Sequence, residues 1–213
     1  MTKTYDLTTG SLAKHFMRLA VPAAIGMVFS TLYNVVDVFF AGMIGTDAQA
    51  GLAISFQAFF IFVTIGFGLS AAMTALVGNA IGAKKTTDAS IIASQGIGFS
   101  IVTSVLLIVA ARFIGPHLLA IISTEGAYRA AGEAYFMILI LSLPGFIMGY
   151  GLNGILQAQG DTVSMQYALI GAFFANIGLN PLMIFGIPGI WGGLGFDGIA
   201  AATVISQTGV MVY

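Results

Sequence analysis

Asp37 is an acidic residue inside a long apolar stretch, and it is the only charged residue between Leu19 and Ile44. An ionised carboxyl group in the hydrocarbon of a membrane costs at least about 2.5 to 3.5 kcal/mol, and intramembrane acids usually lie on the path of an ion or a substrate. We therefore predict that Asp37 binds a proton or a cation. The alternative is an acid that only joins two helices through hydrogen bonds.

Four further polar residues can share a site with Asp37. Tyr33 and Asn34 precede it by four and three residues, so a helix places all three on one face. Asn176 and Asn180 are one helical turn apart in a later apolar segment, and their amides both donate and accept hydrogen bonds. Asn also bridges membrane helices, so the pair predicts either an ion or substrate site or a helix contact.

A second group of polar residues lies at the end of the fourth apolar segment, Ala134 to Leu156. Asn153 belongs to it, with Gln157, Gln159 and Asp161, and a solvated loop with a turn at Gly160 is the favoured interpretation. We include Asn153, with Tyr33 and Asn34, among the candidates for a substrate cleft. Six aromatic residues offer surface for flat hydrophobic compounds, although core or lipid packing accounts for most of them: Phe39, Phe40, Phe56, Phe59, Phe60 and Phe62.

Pro22 and Pro144 lie within apolar segments. Proline removes a backbone hydrogen bond from a helix and permits a bend, so both are candidate hinges. The 28 glycines mainly favour close packing of helices, because small residues let helix backbones approach in lipid.

The amino-acid composition of the chain indicates the environment of these polar residues. Of 213 residues, 58% are apolar and 7% are charged, where a soluble domain has about 25% charged residues. The net charge of −1 excludes a basic surface for nucleic acid, and the absence of cysteine excludes disulfides and thiolate metal sites. We predict an all-α polytopic membrane protein that contacts the lipid bilayer, is not an enzyme and needs no cofactor or metal centre.

Six hydrophobic segments are predicted to form one six-helix transmembrane bundle over residues 1–213. The sixth is shorter than a full span, so we expect the chain to be truncated within helix six. The segments are Phe16 to Ile44, Leu52 to Ile81, Ser90 to Phe113, Ala134 to Leu156, Tyr167 to Phe185, and Ile199 to Tyr213.

Positively charged residues predict the orientation, since they favour the cytoplasmic side. If the protein lies in the plasma (inner) membrane with its amino terminus in the cytoplasm, five positively charged residues are inside and two are outside. The five are Lys3, Lys14, Arg18, Lys84 and Lys85, and the two are Arg112 and Arg129.

An ordered set of short stretches resembles the multidrug and toxic compound extrusion (MATE) transporters. No single stretch is diagnostic, but together they span essentially the whole chain. They are Leu19 to Pro22, Asp37 with Ala41 to Gly45, Gly66 to Gly68, Gly78 to Ala83, Asn153 to Gln157 with Gly160 and Asp161, Asn176 to Pro181, and Gly198 to Thr203.

This resemblance implies a secondary antiporter with two six-helix bundles around a central cleft. Such antiporters export xenobiotic organic cations and amphipathic compounds in exchange for H⁺ or Na⁺, and this chain would be the amino-terminal bundle, completed by a missing carboxy-terminal six-helix half. The family's proton or cation site corresponds to Asp37, Asn176, Asn180 and Thr203. Asn180 stands where the proton-coupled subgroup has Asp, so the site would hold one titratable group.

Three other interpretations compete with the antiporter. A flippase for lipid-linked sugars would need a basic cleft for pyrophosphate, and the interiors of the segments contain no Lys or Arg. An intramembrane aspartyl protease needs two facing aspartates and a G-x-G-D motif, whereas residues 193–197 have the wrong spacing. The third is a structural half-bundle that transports nothing.

The topology can be tested in a chain that lacks cysteine. We expect Cys introduced at Lys85 to react with an impermeant thiol reagent from the cytoplasmic side and Cys introduced at Thr124 to react from the outer side. Labelling of both variants from the same side would contradict the six-helix assignment.

Overall fold

The computed structural model describes residues 11–213, and these residues form seven α-helices. The helices are α1 (Leu12–Ile44), α2 (Thr46–Gly82), α3 (Thr86–Ile122), α4 (Ala127–Leu139), α5 (Leu143–Ala158), α6 (Ser164–Phe185) and α7 (Asp197–Val212). A short 3₁₀ helix, Ile140–Ser142, joins α4 to α5, so these two helices form a single span.

The predicted all-α membrane fold is confirmed. Within residues 11–213, five stretches are long and apolar enough to cross a membrane: Ala20–Ile44, Thr46–Gly82, Thr86–Ile122, Ala127–Ala158 and Ser164–Phe185. The last four contain the second to fifth predicted segments, and the first covers the predicted segment Phe16 to Ile44 from Ala20 onward. The sixth segment corresponds to α7, which has 16 residues.

The two prolines that we predict to be hinges lie in different surroundings. Pro22 lies inside α1, which continues as a helix on both sides of it. Pro144 is the second residue of α5, directly after the 3₁₀ helix. Because proline has no N–H to donate to the preceding turn, Pro144 accounts for the local change from α to 3₁₀ hydrogen bonding. Motion at either proline stays a prediction.

The helices form two groups that meet at α7. In one group α2 packs against α3, α4 and α5; in the other, α6 packs against α1 and α7. The larger buried core lies in the first group, and a smaller one, which contains Tyr33, Ala168, Ala172 and Val210, lies in the second. α7 joins the groups through its contacts with α4 and α5. This arrangement leaves a cleft between α1 and α2.

Glycine permits a close backbone contact within the first group. A Cβ atom added at Gly154 would lie 2.4 Å from the carbonyl oxygen of Ser70, so α5 and α2 touch through their backbones. Thr74 donates to the carbonyl oxygen of Gly154 at 3.1 Å. This contact holds α5 against α2, and these two helices form the wall of the cleft opposite α1.

Candidate cation site

Asp37 is completely buried, and side chains from two other helices donate hydrogen bonds to it. Asn180 Nδ2 and Asn176 Nδ2 lie 2.8 Å and 3.1 Å from Asp37 Oδ1, and Thr203 Oγ1 lies 3.3 Å from Oδ2. Asn180 Nδ2 also donates to Asn176 Oδ1 at 2.9 Å. The four residues predicted to form a cation or proton site therefore lie together in one cluster, which we call the Asp37 cluster.

The Asp37 cluster lies near one end of the bundle. α1 and α6 end there and α7 begins there, and each cluster residue is within about two and a half turns of the nearby helix end. The i, i+4 spacing places Asn176 and Asn180 on the same face of α6, which packs against α1 and α7. Three helix ends therefore meet at one buried carboxyl group.

Asp161 helps to start the helix that carries both asparagines. Its carboxylate accepts the backbone N–H groups of Val163 and Ser164, each at 3.0 Å, and the Ser164 hydroxyl at 2.6 Å. Partial burial would raise the pKa of Asp161, but these three hydrogen bonds outweigh it and lower the pKa. Asp161 therefore stays ionised and caps α6, as expected for a polar turn after Gly160.

The buried carboxyl group of Asp37 has no oppositely charged partner among the described residues. All three donors to Asp37 are neutral, and none of the basic side chains that the structure describes forms an ion pair with it. Asn180 Oδ1 is buried and has no hydrogen-bond partner within residues 11–213. A carboxylate, an amide oxygen and a hydroxyl group are oxygen ligands of the kind that hard cations prefer.

The structure adds two residues that the sequence did not single out, Ser206 and Tyr135. Tyr33 is buried, and its hydroxyl group lies 2.6 Å from Ser206 Oγ of α7. Tyr135 of α4 is fully buried, its hydroxyl group has no partner among the described residues, and its ring stacks on Phe196 at 4.8 Å. Ser206 follows Thr203 by three residues, so helical spacing from Thr203 could have found it.

The three candidates for the substrate cleft line three cavities, and Tyr33 and Asn34 share one of them. Asn34 also lines the largest of the three, of about 590 Å³. Tyr33 lines one of about 50 Å³ beside Thr203, and Asn153 lines one of about 100 Å³ with Gln207. Ser30 and Phe146 line all three cavities. The cavities are therefore neighbours along one side of α1.

Aromatic side chains form much of the wall of the largest cavity. They come from α2 and α5: Phe56, Phe59, Phe60, Phe67, Phe146 and Tyr150. The other predicted aromatic residues lie elsewhere: Phe62 is in the core, and Phe39 is 62% exposed on the bundle surface. The cavity also has polar groups at Asn34 and Gln57, so it can hold a flat, mainly apolar compound and orient it.

Membrane-spanning helices with a polar site in their interior place this protein among polytopic α-helical membrane proteins. The comparisons with known proteins are more specific. A family model described as MatE matches residues 22–182. The chain belongs to this family, that of the multidrug and toxic compound extrusion transporters, and corresponds to their amino-terminal half.

Curated relatives and a solved structure agree with this assignment. The chain is 27% identical to YoeA, a probable multidrug resistance protein of Bacillus subtilis, over 87% of this chain and 40% of YoeA. It is 26% identical to NorM, a probable multidrug resistance protein of Thermotoga maritima, over 95% of this chain and 44% of NorM. The structure of a MOP superfamily transporter from Pyrococcus furiosus matches with a TM-score of 0.88 at 24% identity, over 99% of this chain and 46% of that chain. The chain spans less than half the length of these relatives.

The hydrogen bond from Asn176 to Asp37 predicts a pH-dependent effect on stability. Asn176→Leu removes one donor to a buried carboxylate, and such bonds contribute about 1.5 to 3 kcal/mol. We expect the melting temperature of the purified protein to fall, and to fall further at alkaline pH, where the carboxyl group is ionised, than at acidic pH. Thermal unfolding across a pH series measures this.

Asn79→Leu is the matched control, since Asn79 is exposed on α2. We expect its melting temperature to respond equally at every pH. The same pH-independent change in Asn176→Leu would show that its amide does not stabilise the ionised form of Asp37.

Proposed function

We propose that this protein is the amino-terminal bundle of a secondary antiporter, which exports amphipathic and cationic xenobiotics in exchange for H⁺ or Na⁺. The observation that carries the proposal is the burial of Asp37 among neutral donors from α6 and α7. A purely structural helix contact needs no carboxyl group. An ionisable group in a dry site can exchange its proton or cation as the site opens to one side or the other.

The asparagine amides support such an exchange because each carries both a donor and an acceptor. Their N–H groups now face Asp37, which suits an ionised carboxylate. A bound cation needs oxygen atoms, so rotation of the Asn180 amide would turn its unpartnered Oδ1 toward the ion. A proton on Asp37 instead creates an O–H donor that an amide oxygen can accept. Each occupant therefore favours a different arrangement of α6 against α1.

Transport follows if the cleft opens to one side of the membrane in one arrangement and to the opposite side in the other. An ion shifts a conformational equilibrium only by its difference in affinity for the two states. The contacts of Asp37 join α1 to α6 and α7, while the cleft lies between α1 and α2. Occupation of the Asp37 cluster therefore changes how firmly α1 is held beside the cleft, and this couples the ion to the substrate.

The cleft supports a broad class of substrates. Its aromatic walls offer surface to flat compounds, and Asn34 and Gln57 offer amide groups without a fixed charge. Curated relatives carry names such as multidrug resistance protein. We therefore infer xenobiotic substrates whose size and shape, more than their exact chemistry, decide binding.

We further infer that the protein lies in the plasma membrane with its amino terminus in the cytoplasm, on the excess of positive charge predicted inside. The Asp37 cluster then lies in the outer half of the bilayer. An ion that enters from outside reaches Asp37 after passing about two helical turns.

Replacement of Asp37 tests the coupling. Asp37→Asn keeps nearly the same shape but cannot ionise, so we expect efflux of a fluorescent cation such as ethidium to fall to the rate of cells without the transporter. Efflux is measured from loaded cells, and correct insertion is checked by surface labelling. Asp47→Asn, an exposed acid at the start of α2, should retain wild-type efflux. Normal efflux in Asp37→Asn would show that Asp37 is structural.

The residue at position 180 tests the number of protons. Asn180→Asp adds a second carboxyl group, and two like charges in one dry site disfavour simultaneous ionisation. One of the pair then keeps a proton to higher pH, so the pH profile of efflux should move upward by about one pH unit. Efflux against pH for this variant and for Asn79→Asp, as a control far from the cluster, measures the shift. Identical profiles would show that positions 37 and 180 do not share a site.

A further inference from the structure

The loop between α6 and α7, residues 186–196, has an unusual composition. It contains no charged, amide or hydroxyl side chain, and it holds the only tryptophan of the chain, Trp191. Other loops of more than one residue do contain such groups, for example Lys84 and Lys85 between α2 and α3, and Glu125 between α3 and α4. A loop in water is normally polar, so the composition of this loop indicates an environment other than water. We call it the apolar hairpin.

The backbone of the apolar hairpin is fixed. The N–H of Ile187 donates to the carbonyl of Trp191 at 3.0 Å, and the N–H of Trp191 donates back at 3.1 Å. Gly186 has φ of +73° and Gly193 has φ of +74°, which side chains rarely adopt. A Cβ atom at Gly186 would lie 2.3 Å from the Trp191 carbonyl oxygen, so only glycine permits this close turn.

The apolar hairpin is also attached to the helix that carries Asn176 and Asn180. The N–H of Leu194 donates to the Met183 carbonyl at 2.8 Å, and the N–H of Gly195 donates to the Ile184 carbonyl at 3.0 Å. The chain then enters α7, which carries Thr203. Any force on the hairpin therefore acts on the ends of the two helices that hold the donors to Asp37.

The tip of the hairpin exposes apolar surface close to the end of the spanning helix α6, and Trp191 there is half-buried. Ile190 is 77% exposed, and Phe185, at the end of the spanning helix α6, is 55% exposed. Exposed apolar area costs about 25 cal/mol per Å² in water. Tryptophan favours the boundary between lipid headgroups and hydrocarbon, where a helix of this kind ends.

We propose that the apolar hairpin inserts Ile190 and Trp191 into the membrane interface beside the Asp37 cluster. Its partner is the headgroup and upper acyl region of the bilayer. The inserted hairpin holds the adjoining ends of α6 and α7 at a constant depth, and so fixes the depth of the Asp37 cluster. This proposal concerns an interaction surface and stands without the antiporter function.

The absence of cysteine allows a direct test. The 213-residue chain is reconstituted in phosphatidylcholine vesicles, and the single-cysteine variant Ile190→Cys is labelled with the fluorophore bimane. Two quenchers are compared: lipids with a spin label near the headgroup, and aqueous iodide. Glu125→Cys is the control, because Glu125 is exposed in a polar loop at the same end of α3 and α4.

We expect headgroup spin labels to quench bimane at position 190 strongly and iodide to quench it weakly, with the opposite result at position 125. Quenching by iodide at both positions would place the hairpin in water and overturn the proposal. Protection from both quenchers at position 190 would show that protein covers the hairpin and would overturn it equally.

The native Trp191 gives an independent check: Ile190→Asp should shift its emission to longer wavelength by withdrawing it from the interface, and an unchanged spectrum would contradict insertion.

Discussion

The carboxyl group of Asp37 has no contact with solvent, and the polar groups that replace water come from helices distant in sequence. An unpaired charge in such surroundings would cost several kcal/mol, so α6 and α7 must approach α1 wherever Asp37 is to be accommodated. The i, i+4 spacing of the two asparagines, the cap at Asp161 and the backbone contacts of the apolar hairpin all serve this requirement. The buried acid is therefore one constraint on how α1, α6 and α7 pack, beside their apolar core.

The bundle is divided into two helix groups, and the hydrogen bonds of Asp37 lie within only one of them. The group of α2 to α5 has the larger apolar core, whereas α1 is held to α6 and α7 partly through the polar bonds of Asp37. Apolar packing responds little to the charge of one carboxyl group, but hydrogen bonds to it respond strongly. A change in the occupant of the Asp37 cluster therefore acts mainly on the helix that borders the cleft.

The identity of residue 180 sets the charge of the proposed site. With Asn at this position, the cluster contains one carboxyl group and three neutral side chains, so it can carry one proton or balance one monovalent charge. The amide compensates for the lost carboxylate by offering either hydrogen-bonding end, since Nδ2 faces Asp37 and Oδ1 lacks a partner among the described residues. In the proposed exchange, rotation of this one side chain would release the occupant without a second acid.

The sequence by itself determined the number and type of the main elements, because an apolar stretch long enough to span lipid has few alternatives to a helix. It also identified Asp37 and the asparagine pair, since polar residues are conspicuous in apolar segments, and the family resemblance added Thr203. Only the tertiary structure decided how the helices are rotated against one another. In lipid, the buried and the exposed faces of a helix are both apolar, so periodicity does not distinguish them. For this reason the structure alone paired Tyr33 with Ser206, and it alone placed Tyr33 and Asn34 on one cavity and Asn153 on another.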